Sequence, residues 1–329
     1  MCHVLNTLGA QVYGYALQPP TTPSLYELSH ASKYVISEFG DIRDLAHLQK
    51  VFTEVEPEIV IHMAAQPIVR ESYKSPVYTY EVNVMGTVNV LECVRTCPSV
   101  KSFVNVTTDK VYKNREWNRG YREDEELNGY DPYSNSKSCS ELVTDSYKKS
   151  FFLDGQVAIS TARAGNVIGG GDFAADRIIP DCFRAIEAGK DIAIRNPYSI
   201  RPYQHVLEPI FAYLMIAMWQ YNDLQYAGNY NVGPDEESCL TTGELVSKFC
   251  EIWNRQNDGK LHWYQESDAG PHEANFLKLD CIKLKQTFGW KPKWDVNQML
   301  EKTVEWMSVY RKNGDVREVM ERQIWEYMR

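Results

Sequence analysis

Short apolar runs alternate with longer amphipathic ones over the first half of the chain. Gln11 to Leu17 reads as a strand, and Pro19-Pro20 stops it. Glu58-Ile59-Val60-Ile61-His62-Met63 is a continuous apolar run, as expected of a strand buried on both faces. Lys101 to Val106 and Val157 to Ala162 repeat that pattern. Between these runs, apolar residues at helical spacing mark Asp44 to Glu54, Pro76 to Cys97 and Pro132 to Phe151; Pro76 suits a first helical turn, and Pro98 follows the end of its segment. Strand and helix in alternation predict a Rossmann-like, doubly wound α/β fold: a parallel sheet with helices on both faces and right-handed crossovers.

The pattern changes after about Arg163. Gly169-Gly170-Gly171-Asp172 is a loop, helices are expected near 177–188, 207–221, 242–255 and 296–311, and short strands near 192–194, 230–232 and 261–263. This predicts a dinucleotide-binding domain over 1–165, with a returning segment at about 205–232, and a smaller interleaved α/β substrate lobe over 166–329.

A dinucleotide-binding fold opens with a strand, a glycine-rich turn and a helix, because glycines let the backbone approach a pyrophosphate. Nothing here matches G-x-x-G-x-x-G. Residues 2–8 read as the tail of that helix, with Gly9 closing it. The first strand and glycine loop are therefore expected to be missing, and Gln11 to Leu17 to be the second strand. Truncation of an active ancestor is the expectation; a crippled cofactor pocket is the alternative. Either way a cleft open to water is expected, unless another element fills it.

Composition narrows the function classes. The chain has 329 residues, 43% hydrophobic and 24% charged, which is ordinary for a globular protein. A formal charge of −9 argues against a nucleic-acid partner. No apolar run approaches the ~18–20 residues that span a bilayer, and no basic stretch followed by an apolar one opens the chain, so neither a membrane partner nor a secretory leader is expected. Eight cysteines are scattered without a Cys-x-x-Cys pair and without histidines at zinc spacing. That pattern predicts no metal and a reducing, cytoplasmic setting.

The chemistry concentrates at strand ends and one helix start. Tyr133-Ser134-Asn135-Ser136-Lys137 places a phenol and an ammonium one helical turn apart. A nearby ammonium stabilises a phenolate, so the Tyr133 pKa is expected to fall toward neutral and the phenol to take a proton from a sugar hydroxyl. Thr107-Thr108-Asp109-Lys110 ends the Lys101 strand, where α/β folds place their sites.

In order along the chain stand Gly40-Asp41-Ile42, His62-Met63-Ala64-Ala65, Asn83-Val84-Met85-Gly86-Thr87, Thr107-Thr108-Asp109-Lys110-Val111-Tyr112, Tyr133-Ser134-Asn135-Ser136-Lys137 and Arg163-Ala164-Gly165-Asn166-Val167-Ile168-Gly169. As a set they resemble the extended short-chain dehydrogenase/reductases. Asp109-Lys110, where sugar-nucleotide 4,6-dehydratases usually carry Asp then Glu, is similar to the CDP-glucose branch. So are Ile200 to Val206 and Pro271 to Asp280.

The resemblance implies a lyase that cycles bound NAD on a nucleotide sugar (CDP-glucose) in deoxysugar synthesis. Tyr133, Lys137 and Thr108 would act at C4, a base near Lys110 at C5, and Asp109 as the acid at C6; Lys110 is alternatively an electrostatic stabiliser. For NAD it implies Asp41, Ile42, Ala64, Ala65, Gln66, Asn83 and Thr107, beside Tyr133 and Lys137. For substrate it implies Asn166, Arg177, Arg201, Tyr203 and His272. It also implies a homodimer, or a homotetramer built from dimers, through helices near 76–97 and 133–151. An epimerase or reductase of the same fold, or a non-catalytic nucleotide-sugar-binding remnant, are the rival readings.

Overall fold

The computed structural model describes residues 1–152, 155–257, 259–266 and 276–329. Helix α1 (Cys2–Thr7) closes on Gly9, whose φ of +83° few other residues tolerate. The Gly9 and Ala10 amides donate to the Asn6 and Leu5 carbonyls, a Schellman closure. Strand β1 (Tyr13–Ala16), short α2 (Leu25–Leu28) and β2 (Ile36–Phe39) follow. Asp44 caps α3 (Leu45–Val55) by accepting from the His47 amide. Next come β3 (Ile59–His62), α4 (Val69–Lys74), α5 (Pro76–Tyr80), a π turn over Glu81–Met85, α6 (Gly86–Thr96), β4 (Ser102–Val106), α7 (Pro132–Phe151) and β5 (Ala158–Ala164).

The second half contains β6 (Asn166–Ile168), α8 (Ile178–Glu187), β7 (Ile192–Ile194), β8 (Ile200–His205), α9 (Leu207–Asn222) and β9 (Asn229–Val232). It ends with β10 (Cys239–Thr241), α10 (Thr242–Asn257), β11 (Trp263–Gln265), α11 (Ile282–Phe288), α12 (Val296–Arg311) and α13 (Val316–Met328).

Four parallel strands, in the order β3-β4-β5-β9, form the central sheet. Every residue of β5 is buried, because helices cover both its faces. Phe103 and Ile159 point to the side of α3, α6 and α7, where they meet Leu48, Phe52, Leu91 and Val94. Val104 and Ala162 point the other way, onto α9 and α11 through Ala212, Ile216 and Leu284. Each fully buried side chain of this size contributes about 1.5–3 kcal/mol of transfer free energy. A separate core in the C-terminal lobe packs Phe183, Ile194, Phe249, Trp253, Leu300 and Trp306.

Three expectations change. The Glu58 to Met63 run is not buried on both faces: Ile59 is 39% exposed. The reason is pairing, since among the described residues β1 and β2 pair only with each other and β3 has a strand neighbour only in β4. The Pro76 to Cys97 helix is interrupted by the π turn, which sets Gly86 so close to Ile42 that a Cβ there would lie 2.3 Å from Ile42 Cδ1. The third lobe strand begins at Trp263, not Leu261.

Candidate active site

The parallel strands β3, β4 and β5 end on one edge of the sheet, as their common direction requires. Beyond β4 the chain turns in a short 3₁₀ helix, Asp109–Val111, whose cap is Thr108. The Thr108 hydroxyl donates to Asp109 Oδ1 at 3.0 Å. Helix α7 starts beside this turn. Asp131 caps it, accepting from the Ser134 amide at 2.9 Å and the Ser134 hydroxyl at 2.6 Å, with Pro132 in the first turn. That start brings Tyr133 into a hydrogen bond with Thr108. One turn on, Lys137 is 4% exposed and donates from Nζ to the Val106 carbonyl at 3.2 Å.

A cleft of about 850 Å³ opens over these residues, a size suited to a small-molecule ligand. Thr108, Asp109, Lys110 and Tyr133 line one wall; Asn166, Arg177, Arg201, Tyr203 and Tyr213 line the other. The walls meet at Gly165, where a Cβ would lie 2.6 Å from Pro202 Cγ and 3.2 Å from Asp109 Oδ2.

Burial governs the protons here. Asp109 is 2% exposed, and its Oδ2 has no hydrogen-bond partner among the described residues. Desolvation raises its pKa against the pull of Lys110, the Thr108 hydroxyl and Arg201, so the carboxyl keeps its proton to higher pH than usual. Desolvation also brings Lys137 down to about 8, with Glu141 opposing. Tyr133 does not follow the expectation from its spacing to Lys137. Burial, helped by Asp109 and Asp131, pushes the phenol up to about 12, outweighing the Thr108 hydrogen bond and the Arg177 charge. The Lys137 ammonium gives one N–H to Val106 O, and it is not among the groups that set the phenol's pKa.

Farther along the cleft, guanidinium groups stand against carboxylates. Arg177 contacts Asp172 at 2.8 Å, and Arg195 and Arg70 contact Asp176 at 3.0 and 3.9 Å. Arg201 donates to the Ile200 carbonyl at 2.8 Å. Such a group suits a diphosphate, whose oxygens can replace the carboxylates. Arg70 and Arg195 line the cleft as well, and nothing in their sequence context separates them from surface arginines.

Other expected site residues are turned elsewhere. Asn83 is 1% exposed; it accepts from the Gln66 amide and donates to the Gln66 carbonyl and the Ser136 hydroxyl. Gln66 spends its own amide on Thr79 and the Ile68 N–H. These two hold the β3–α4 loop to α7 rather than presenting free polar groups to a cofactor. Ile42 has its side chain in the core, and Thr107 donates inward to Glu141 at 2.5 Å. Tyr203 has its ring in the lobe core and shares its hydroxyl with Thr242 at 3.0 Å. Ala64 and Ala65 are half-buried beyond β3. Arg43 grips the Asp41 carboxylate through Nε and Nη2, which lowers its pKa, at the rim of a second hollow of about 470 Å³ with Glu81, Met85 and Asn89. His272 lies outside the described residues.

The spacing arguments also missed a buried network beneath the site. Arg163 and Glu141, 1% and 2% exposed at their side chains, form a two-pronged pair at 3.0 and 2.8 Å. Thr107 and Thr161 donate to the same carboxylate, and Arg163 reaches the Tyr112 hydroxyl at 2.8 Å.

The family model for GDP-mannose 4,6 dehydratase matches residues 1–303. A CDP-glucose 4,6-dehydratase of Salmonella typhimurium is 45% identical over 330 residues, covering 98% of this chain and 91% of the relative. A dTDP-glucose 4,6-dehydratase of Haemophilus influenzae is 26% identical, covering 86% and 85%. Among solved structures, a UDP-glucose 4-epimerase of Thermus thermophilus in complex with NAD superposes with a TM-score of 0.79 at 23% identity, over 93% of this chain and 95% of the other. A dTDP-glucose 4,6-dehydratase of Bacillus anthracis in complex with NAD gives 0.75 at 21%, over 94% and 91%.

Proposed function

We propose that this chain, which belongs to the GDP-mannose 4,6 dehydratase family, is an NAD-dependent hydro-lyase that converts CDP-D-glucose to CDP-4-dehydro-6-deoxy-D-glucose. The observation that carries the reading is one cleft that gathers the Thr108, Asp109, Lys110 and Tyr133 side chains with Arg177 and Arg201. The identity to a CDP-glucose 4,6-dehydratase supports the choice of nucleotide.

The residues present fit NAD. Lys137 spends one of its three N–H donors on a described residue and holds them under the cleft at the end of β4, and a hollow opens beside Asp41 at the end of β2. Lys137, Tyr133 and Asp41 would hold it, with Ala64 and Ala65 lining its bed. When bound, NAD supplies the reversible acceptance of a hydride, so that one sugar carbon is oxidised and another reduced within a turnover.

The chain's own groups then move the protons. Tyr133, hydrogen-bonded to Thr108, would take the proton of the C4 hydroxyl in its phenolate form, a minor species while burial holds the phenol up to about 12, as that carbon becomes a ketone. The ketone acidifies the hydrogen on C5. Asp109, held protonated by burial, gives its proton to the C6 hydroxyl, which leaves as water. Lys110, beside Asp109 in the cleft lining, would act on C5 as base through its neutral amine, or stabilise the enolate electrostatically through its ammonium. Arg177 and Arg201, joined by Arg70 and Arg195, hold the diphosphate, with Asn166 toward the nucleotide sugar.

The division into a cofactor domain over 1–165, with a returning segment at about 205–232, and a substrate lobe over 166–329 is supported by the pairing of β9 with β5. A homodimer or homotetramer through α5–α7 is supported by exposed Val77 on α5, Met85 in the π turn and Leu142 on α7. A cytoplasmic setting is supported by eight unpaired cysteines.

The test is incubation with CDP-glucose and NAD+, reading the ultraviolet band that a 4-keto product develops in alkali. That band is the expected result. CDP-galactose formed without loss of water would replace the dehydratase reading with an epimerase.

A further inference from the structure

The tyrosine on α9 has a hydroxyl that the fold leaves unused. Tyr213 is 3% exposed, and its ring packs with Val104, Ala162, Ala164 and Ile216. A phenylalanine would serve that packing as well. The other tyrosines buried to this degree all give their hydroxyls to a partner: Tyr112 to Asn231 at 2.6 Å, Tyr121 to Asn114 at 2.9 Å, Tyr203 to Thr242 at 3.0 Å, Tyr230 to the Tyr226 carbonyl at 2.7 Å and Tyr327 to Glu208 at 2.7 Å. Tyr213 finds no hydrogen-bond partner among the described residues; it lines the cleft together with Asp109 and Tyr133. The hydroxyl is not sealed off among the buried orphan groups: it opens onto the cleft, so its donor is available to a ligand there.

The surroundings also fix what the hydroxyl does. Burial raises its pKa well above the usual range for a phenol, and the negative forms of Tyr133 and Asp109 push the same way. It therefore keeps its proton, and it acts as a donor and not as a base. Aliphatic neighbours on α9 supply no competing acceptor: Pro209 and Ile210 line the same wall.

We propose that Tyr213 contacts the hexose of the bound nucleoside diphosphate sugar, donating its hydroxyl to a sugar oxygen held between Tyr133 and Asp109. This rests on the reading of the cleft as a sugar-nucleotide site. It adds a hydrogen-bonding residue from α9, which packs on the face of β4 opposite to α7.

The experiment is calorimetric titration of the intact chain and of Tyr213→Phe. Each is titrated with CDP, UDP, dTDP and GDP and with their glucose conjugates, and the pair that wild type binds most tightly is compared. The expected result is a loss on the order of 3- to 10-fold in affinity for the glucose conjugate, no loss for the nucleoside diphosphate alone, and an unchanged unfolding midpoint. Equal affinity of both chains for the conjugate overturns the proposal, and so does an equal loss for conjugate and diphosphate. If CDP-glucose is not the preferred conjugate, the nucleotide assignment fails while Tyr213 is still judged on the conjugate that binds. A wild-type chain that binds none of them overturns both.

Discussion

Around the cleft, burial drives Asp109, Tyr133 and Lys137 each toward its neutral form, whereas Arg177 and Arg195 stand in contact with Asp172 and Asp176. The first arrangement suits proton exchange, because a group that gives up or gains a proton in a turnover must not be locked in one charge state. The second suits binding, because paired charges trade a carboxylate for a phosphate without leaving a guanidinium bare. The same protein dielectric serves both groups. The cluster proposed for the sugar is buried against β4 and α7, while the guanidinium groups proposed for the phosphates are more open, with Arg177 at 40% side-chain exposure.

The contrast breaks first at the acid. Asp109→Asn is expected to lower turnover by on the order of 10²–10⁴ without lowering the thermal midpoint, because a buried carboxyl with a raised pKa gains nothing from ionising. A mutant that unfolds earlier, or that keeps wild-type turnover, would show that Asp109 is structural. Tyr133→Phe should lose activity over the same range.

Beneath the buried cluster, Glu141→Gln leaves the Arg163 charge buried without its partner. A destabilisation of about 3–5 kcal/mol is expected, read by urea unfolding; a loss within error would mean that water reaches Arg163.

Lys137 sharpens the comparison through pH. Its pKa falls from 10.5 to about 8 on folding, so between those values the unfolded chain binds the extra proton. Stability should then rise with pH across that window, by roughly 3 kcal/mol in total. Lys137→Met should remove that rise, and an identical pH profile in the two proteins would contradict it.

The guanidinium groups should respond more gently. Arg177→Gln is expected to raise KM about tenfold with little change in kcat, and added salt should erode the difference. A fall in kcat alone would move Arg177 to the chemistry. The smallest effect is expected for Lys149→Ala, which breaks a rim pair with Asp145 at 71% and 47% exposure and should leave both stability and turnover unchanged.

Local rules made much of this legible in advance. Helix α7 spans Pro132–Phe151 as read, because Asp131 and Pro132 define its start without help from the rest of the fold. Thr108, Asp109, Lys110, Tyr133 and Lys137 lie in two short segments, so their proximity needs only one strand end and one helix start. What was not legible depends on distant partners. An apolar run such as Glu58 to Met63 does not say whether strands flank it on both sides. Tyr133 and Lys137 are one turn apart in any helix, but only the fold shows that Val106 takes the ammonium and that burial outweighs it. Arg70, Arg195 and Tyr213 arrive from separate elements, and none carries a periodicity that distinguishes it from an ordinary surface or core residue.

Gly165 carries a consequence for anyone who would rebuild this cleft. Its missing side chain is the clearance between Pro202 and the Asp109 carboxyl. Even alanine there would wedge the acid away from the wall that faces it, so the hexose compartment cannot be retuned by drift at this joint. A larger or smaller sugar would have to be admitted by changes elsewhere on the rim, while this position works as a fixed gauge block in the enzyme's evolution.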